Sequence, residues 1–171
     1  MRIELDKLEE LSGKFSRAYA TDELVLDDRD VRLIDRAEVH GRIRRDGSEI
    51  ELLGRLSARI EAQCGRCLKP VELPIDTEFA ERFVPSVSWR GDEQHELHEQ
   101  DLNLAVFDGE AVDLDDLVRE EVLLALPGHV LCSEDCKGLC PICGIDRNVR
   151  HCQCGSNQID SRWDKLKELR T

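Results

Sequence analysis

The chain has 171 residues, 37 acids against 24 bases, and a formal charge of −13; this is enough for one domain with a proper core plus a small appended module. Aromatics make up 4%, against 40% hydrophobic and 36% charged residues, so the core must rest on Val, Ile and Leu under a well-hydrated surface. The longest apolar run, VLLAL at 122–126, falls far short of the roughly 20 residues that span a bilayer, which argues against a membrane-spanning segment.

The opening, MRIELDKLEELSG, has no basic stretch followed by an apolar one, so no secretory signal is expected and a cytoplasmic location follows. Residues 1–30 are weakly patterned, and RIELDKLEEL fits a short strand or a short helix equally well. From Ala37 the pattern sharpens. Ala37, Val39, Gly41 and Ile43 alternate with Glu38, His40, Arg42 and Arg44, as in a half-buried strand. Asp46-Gly47 signals a turn. Ile50, Leu52, Gly54, Leu56, Ala58, Ile60, Ala62 and Cys64 then share one face, while Glu51, Arg55, Arg59 and Glu61 share the other. That run is long for one strand and suggests a bend or bulge at Gly54. After CGRCLKP the alternation resumes, with Val71, Leu73, Ile75, Thr77 and Phe79 facing inward. The two runs predict a hairpin tipped by Cys64-Gly65-Arg66-Cys67.

Residues 85–111 read as a surface excursion. Between Asp92 and Glu121 lie twelve acids and one base, Arg119, a local charge of −11 that leaves −2 for the rest of the chain. A helix is predicted next. Asp113 is its N-cap, Asp115 and Asp116 suit the positive end of its dipole, and Pro127-Gly128 ends it. Leu114, Leu117, Val118 and Leu124 form its apolar stripe, widened by Leu123 and Leu126. Near the C-terminus, Ser161 and Asp164 make a capping signal for a short helix with Trp163, Leu166 and Leu169 on one face. The expected class is α+β. An antiparallel sheet core with acidic loop and helix occupies 1–127, and a Cys-rich zinc-binding module ending in a short helix occupies 128–171, packed on the core.

Eight cysteines fall in four close pairs: Cys64/Cys67, Cys132/Cys136, Cys140/Cys143 and Cys152/Cys154. In a reducing compartment such grouping points to metal binding or redox chemistry rather than a disulfide framework. Two to four intervening residues let one turn aim two sulfurs at a single ion, and eight thiols match two tetrahedral zinc sites. The pairs can be combined in three ways. Loop closure favours Cys140, Cys143, Cys152 and Cys154 as one site, because few residues separate its halves. Cys64, Cys67, Cys132 and Cys136 then form the other. His151 competes with Cys152 or Cys154 as a ligand, and the looser Cys132–Cys136 spacing also fits an ordinary buried thiol. Sites closed by four thiolates have no open coordination position, which indicates structure rather than catalysis.

Arg66, Lys69, Lys137, Arg147 and Arg150 lie close to these cysteines. They either offset thiolate charge or form a rim that contacts phosphates or another partner. His95-Glu96-Leu97-His98 lacks metalloprotease spacing and sits in the acidic stretch, so a solvated pair is expected there. No phosphate loop, dinucleotide fingerprint or nucleophile elbow occurs. No enzyme and no small-molecule substrate are expected.

C-x-R-C-L-x-P at 64–70, EEVLLALP at 120–127, and LCSEDCKGLCPICG at 131–144 followed by C-x-C together resemble the YceD family, the large ribosomal RNA subunit accumulation proteins. The likeness covers roughly residues 50–170. It implies a cytosolic bacterial protein, with plastid relatives, that is needed for large-subunit rRNA to accumulate. Ser161 departs from the family, many members of which have proline there. The expected function is a non-catalytic, zinc-stabilised biogenesis factor that contacts precursor rRNA or a ribosomal protein. Because −13 repels bulk nucleic acid, general RNA affinity is not expected. A thiol redox protein or redox-sensing chaperone is the alternative.

Overall fold

Alternation from Ala37 onward becomes a long ladder in the computed structural model, which describes residues 2–4, 12–87 and 103–155. The strands are β1 (Arg2–Glu4), β2 (Ser12–Tyr19), β3 (Val31–Leu33), β4 (Ala37–Asp46), β5 (Glu49–Gln63), β6 (Pro70–Pro85), β7 (Leu104–Phe107) and β8 (Ala111–Asp113), followed by helix α1 (Leu114–Leu124). The main sheet runs β2-β4-β5-β6-β7, with β3 pairing the far end of β5. All its pairings are antiparallel except β6–β7, which is parallel. A separate two-stranded sheet pairs β1 with β8. The hairpin expected from the alternation is β5–β6, in register from Ile50↔Phe83 to Gln63↔Pro70.

The inner face buries Val39, Ile43, Ile50, Leu52, Leu56, Ile60, Ile75 and Phe79. Phe15 and Tyr19 of β2 join them, as do Leu114, Leu117, Val118 and Val122 of α1. Two features of the apolar pattern differ from expectation. Gly54 marks no bulge, because Gly41↔Gly54 and Gly54↔Phe79 pair without interruption. Gly54 instead makes room for the Phe79 ring, and Gly41 for the Phe15 ring, whose Cζ would lie 2.6 Å from a Cβ at 41. On the helix, Val122 follows Val118 by one turn and is fully buried, whereas Leu124 swings off that face and is 77% exposed.

Asp113 caps α1 as expected, its side chain accepting from the Asp115 N–H. The helix is tied to the sheet at its first turn, where the Tyr19 hydroxyl donates to Asp115 Oδ1 at 2.7 Å. Within 85–111, expected to be surface excursion, β7 is a strand of the main sheet. Its four residues are too short to show a period. β2 also arises within the weakly patterned residues 1–30 and β3 directly after them, and Arg2–Glu4 takes the strand alternative of the opening segment. The predicted C-terminal helix and the His95/His98 pair lie outside the described residues.

Candidate metal centre

At the far end of β5 and β6, Cys64-Gly65-Arg66-Cys67 forms a tight knuckle. The Leu68 N–H donates to the Cys64 carbonyl at 2.9 Å, and the Cys64 N–H donates to the Lys69 carbonyl at 2.8 Å. The same construction recurs at Cys140-Pro141-Ile142-Cys143. There the Gly144 N–H reaches the Cys140 carbonyl at 2.8 Å, and the Cys140 N–H reaches Ile145 at 2.8 Å. Both knuckles turn through a left-handed residue after the second cysteine, Leu68 at φ 61° and Gly144 at φ 71°. Glycine adopts that conformation freely and leucine does not, so the first knuckle is held against local strain.

Each knuckle gathers a second pair of thiols. Cys64, Cys67, Cys132 and Cys136 bring their sulfurs within 4.8 Å of one another, as do Cys140, Cys143, Cys152 and Cys154. These are the fours that loop closure favours. Cys132, despite its looser spacing, stands with its sulfur 3.6 Å from that of Cys67, and Cys64 lies 3.9 Å from Cys136. Such separations exclude disulfides, whose sulfurs sit about 2.05 Å apart; all eight thiols are free. Four thiolates about 2.3 Å from one tetrahedral ion would be about 3.8 Å apart, so the cages have metal dimensions. His151 stays outside both groups.

Electrostatics argues the same way. The Cys64 thiol is drawn down to about 6 by the backbone N–H groups of Cys67, Arg66 and Cys132. Cys140 falls to about 6 through the N–H groups of Cys143 and Ile142. Their cage-mates move the other way. Cys132 is pushed up to about 12, first by the Cys136 sulfur, and Cys154 to about 12, first by Cys143. Backbone dipoles favour thiolates, yet four cannot ionise together without a compensating cation. The donor set and the field therefore fit a divalent ion.

The five neighbouring bases separate into two kinds. Arg66 is a strut: its Nη1 donates to the carbonyls of Glu134 and Cys136, each at 2.9 Å. Lys69 pairs with Asp146 at 2.6 Å. Lys137, Arg147 and Arg150 line an open cleft beside the second cage with Pro141, Ile142 and His151. Among the described residues none of these three bases forms an ion pair with a carboxylate.

Sequence reasoning missed Asn148. Its side-chain oxygen accepts the Lys137 N–H at 2.7 Å, and its Nδ2 donates to Cys136 Sγ at 3.4 Å and to Asp146 Oδ1 at 2.8 Å. It thus supports a thiol of the first cage from the loop that closes the second. The one available signal was the aspartate two residues before it, a turn-forming spacing. The cages are further joined where the Leu139 N–H meets the Arg66 carbonyl at 3.0 Å and the Arg147 N–H meets Gly138 at 2.9 Å.

The family model described as "Large ribosomal RNA subunit accumulation protein YceD" matches residues 52–170. An uncharacterized protein of Mycobacterium tuberculosis (strain ATCC 25618 / H37Rv) is 34% identical over 120 residues, 68% of this chain and 53% of its own length. The chain thus spans about half the length of that relative. The uncharacterized protein YlbN of Bacillus subtilis (strain 168) is 26% identical over 167 residues, 97% of this chain and 92% of its own. A shorter likeness, 34% over 59 residues, covers 34% of this chain and 18% of an Arabidopsis thaliana protein named "Large ribosomal RNA subunit accumulation protein YCED homolog 1, chloroplastic". No solved structure matches.

Proposed function

The chain belongs to the YceD family, and from that footing we propose that it is a non-catalytic, zinc-stabilised factor in large ribosomal subunit biogenesis. The family is associated with accumulation of large-subunit rRNA. The observation that carries the zinc reading is the convergence of four thiol pairs into two four-sulfur cages built on a repeated knuckle. All-thiolate tetrahedral donors suit zinc, and with every position filled the ion has none left to polarise a substrate. Zinc would staple the Cys-rich module, residues 128–171, to the tip of the β5–β6 hairpin in the core module, residues 1–127.

Contact with precursor rRNA or a ribosomal protein would fall to Lys137, Arg147 and Arg150, whose charges are not spent inside the fold. Arg66 and Lys69, also expected at that contact, serve the lobe's own architecture. With action on ribosomal precursors goes a cytoplasmic location, as part of the same proposal. Among the described residues no helix is long and apolar enough to cross a membrane.

The test joins metal content to rRNA. Protein purified without chelator should carry two zinc ions per chain by elemental mass spectrometry. Cells depleted of it should lose large-subunit rRNA relative to small-subunit rRNA, and a Cys64→Ser chain should fail to restore it. Metal-free folded protein whose cages close reversibly into disulfides would instead establish the redox reading. Normal rRNA levels on depletion would refute the biogenesis role.

A further inference from the structure

At the opposite end of β6 from the cages, a groove of about 290 Å³ runs between α1 and the β6–β7 edge of the sheet. Its floor is apolar. Phe83 and Phe107 meet edge to face, with ring centroids 6.3 Å apart, and Leu117 closes the helix side. Its rim is acidic, with Glu81 from β6, Asp108 after β7, and Asp116 and Glu120 from α1. Asp116 is engaged by Arg119 at 2.6 Å. Among the described residues, Glu81 and Glu120 have no cation beside them. Burial, then the Glu120 charge, lifts the Glu81 carboxyl above its ordinary range. Glu121 is raised likewise, by burial and then by Glu81 and Glu120. Like charges are thus held together at a half-buried rim.

We propose that this groove docks an extended, Lys- or Arg-rich segment of a protein partner, one long cationic side chain lying along the groove with its charge at Glu81 and Glu120. The proposal deepens the biogenesis reading, from which it takes only that a macromolecular partner exists. Lysine and arginine are amphipathic: their stems cover apolar surface while the charged head reaches a polar rim. An aromatic floor beneath carboxylates is the complement of that shape, and the groove has room for about one such side chain. β7 is the last strand of the sheet among the described residues, with Val106 47% exposed, so an extended segment can also lie beside it. RNA does not fit here. Five carboxylates line the groove, Asp113 joining the four named above, a field that repels phosphate. A bare divalent ion fits no better, because the clusters of metal-binding dimensions among the described residues are the two cysteine cages.

The test uses the full chain and a short, fluorescently labelled peptide of alternating Lys and Val, followed by anisotropy. The double substitution Glu81→Gln/Glu120→Gln should weaken binding about fivefold. Glu38→Gln/Glu51→Gln, which removes equal charge from the open sheet face, should leave it unchanged. Hydrogen exchange should slow at Leu104–Phe107 when the peptide is added to the unsubstituted protein. Equal weakening by both pairs would reduce the effect to bulk charge and overturn the proposal. So would absence of peptide binding, or protection of the groove by a single-stranded RNA oligonucleotide instead. None of these outcomes touches the biogenesis reading, which is scored separately by metal content and rRNA levels.

Discussion

Asn148→Ala should loosen the first cage without touching any cysteine. The carboxamide donates to Cys136 Sγ at 3.4 Å while its oxygen fixes the Lys137 N–H at 2.7 Å, one residue from that ligand. Burial pushes the Cys136 thiol up, but the Gly138 N–H and Asn148, together with the Cys132 and Cys67 sulfurs, outweigh it and bring it down. Removing the carboxamide takes away one support for the thiolate and leaves the Lys137 amide unpaired. Losing such an outer-shell partner typically costs about 10–100-fold in metal affinity, and that is the expected loss at this cage. Asn148→Asp is the sharper probe. It keeps an acceptor for Lys137 but replaces the donor by a carboxylate facing both a thiolate and Asp146, so its loss should exceed that of alanine. Competition with a zinc chelator reads the total. NMR of cadmium-loaded protein, with one resonance per cage, reads which site moved. A change of less than about threefold in both variants would refute this account of Asn148, as would a loss confined to the Cys140/Cys143/Cys152/Cys154 cage.

Leu68→Gly should be nearly neutral or slightly stabilising in thermal melts. Relief of a left-handed leucine gains about 1 kcal/mol, against an unfolded-state entropy cost of about 0.4–1 kcal/mol; Gly144→Ala, at the equivalent turn, runs the same balance in reverse and should be neutral to about 1 kcal/mol destabilising. Tyr19→Phe should lower stability in urea by about 1.5–3 kcal/mol, because the fully buried hydroxyl donates to a carboxylate; a loss under about 0.5 kcal/mol would contradict that role. Gly54→Ala should cost about 1–3 kcal/mol by pressing a methyl onto the Phe79 ring and to within 2.9 Å of the His40 carbonyl. Asp146 titrates below the ordinary carboxylate range, first because of Lys69. Its stabilisation should therefore be complete above an unfolded pKa of about 3.9 and be lost as pH falls through the lower folded value. Asp146→Asn should flatten that acid limb in pH-dependent melts.

The hairpin could be read from the sequence because β5 and β6 keep one period over many residues, so every inward position reports the same face. The N-cap of α1 was equally legible, since Asp113 and the two acids after it are local signals. What escaped was settled by distant partners. β7 joins β6 in parallel across an 18-residue connection, and β1 exists by pairing β8 at the other end of the core. Val122 rather than Leu124 is buried because the sheet, not helix periodicity, decides which side of the last turn is covered. At the cages, the grouping of the eight cysteines into two fours followed from spacing and loop length. Which bases remain open did not, because Arg66 and Lys69 are consumed by Glu134, Cys136 and Asp146, residues far away in sequence.

The two cages differ in what must be folded before they can form. In the second, eight residues separate Cys143 from Cys152, so its closure is local. In the first, 64 residues separate Cys67 from Cys132, a loop whose closure costs about 2 kcal/mol more than the short one. The core has already met that cost. β6 and α1 carry the chain out and back until the Gly65 N–H meets the Val130 carbonyl at 2.8 Å, which sets the Cys132–Cys136 segment against the hairpin tip. In the proposed zinc form, the first ion therefore reports the integrity of the whole sheet, whereas the second closes locally and is joined to the first through Leu139, Arg147 and Asn148. Lys137, Arg147 and Arg150 line the cleft beside the second cage, and the Lys137 and Arg147 amides also belong to the join between the two cages. The cleft therefore needs both cages in place, and in the proposed function a partner that contacts these three cations meets a molecule whose Cys-rich segment is already joined to the hairpin tip.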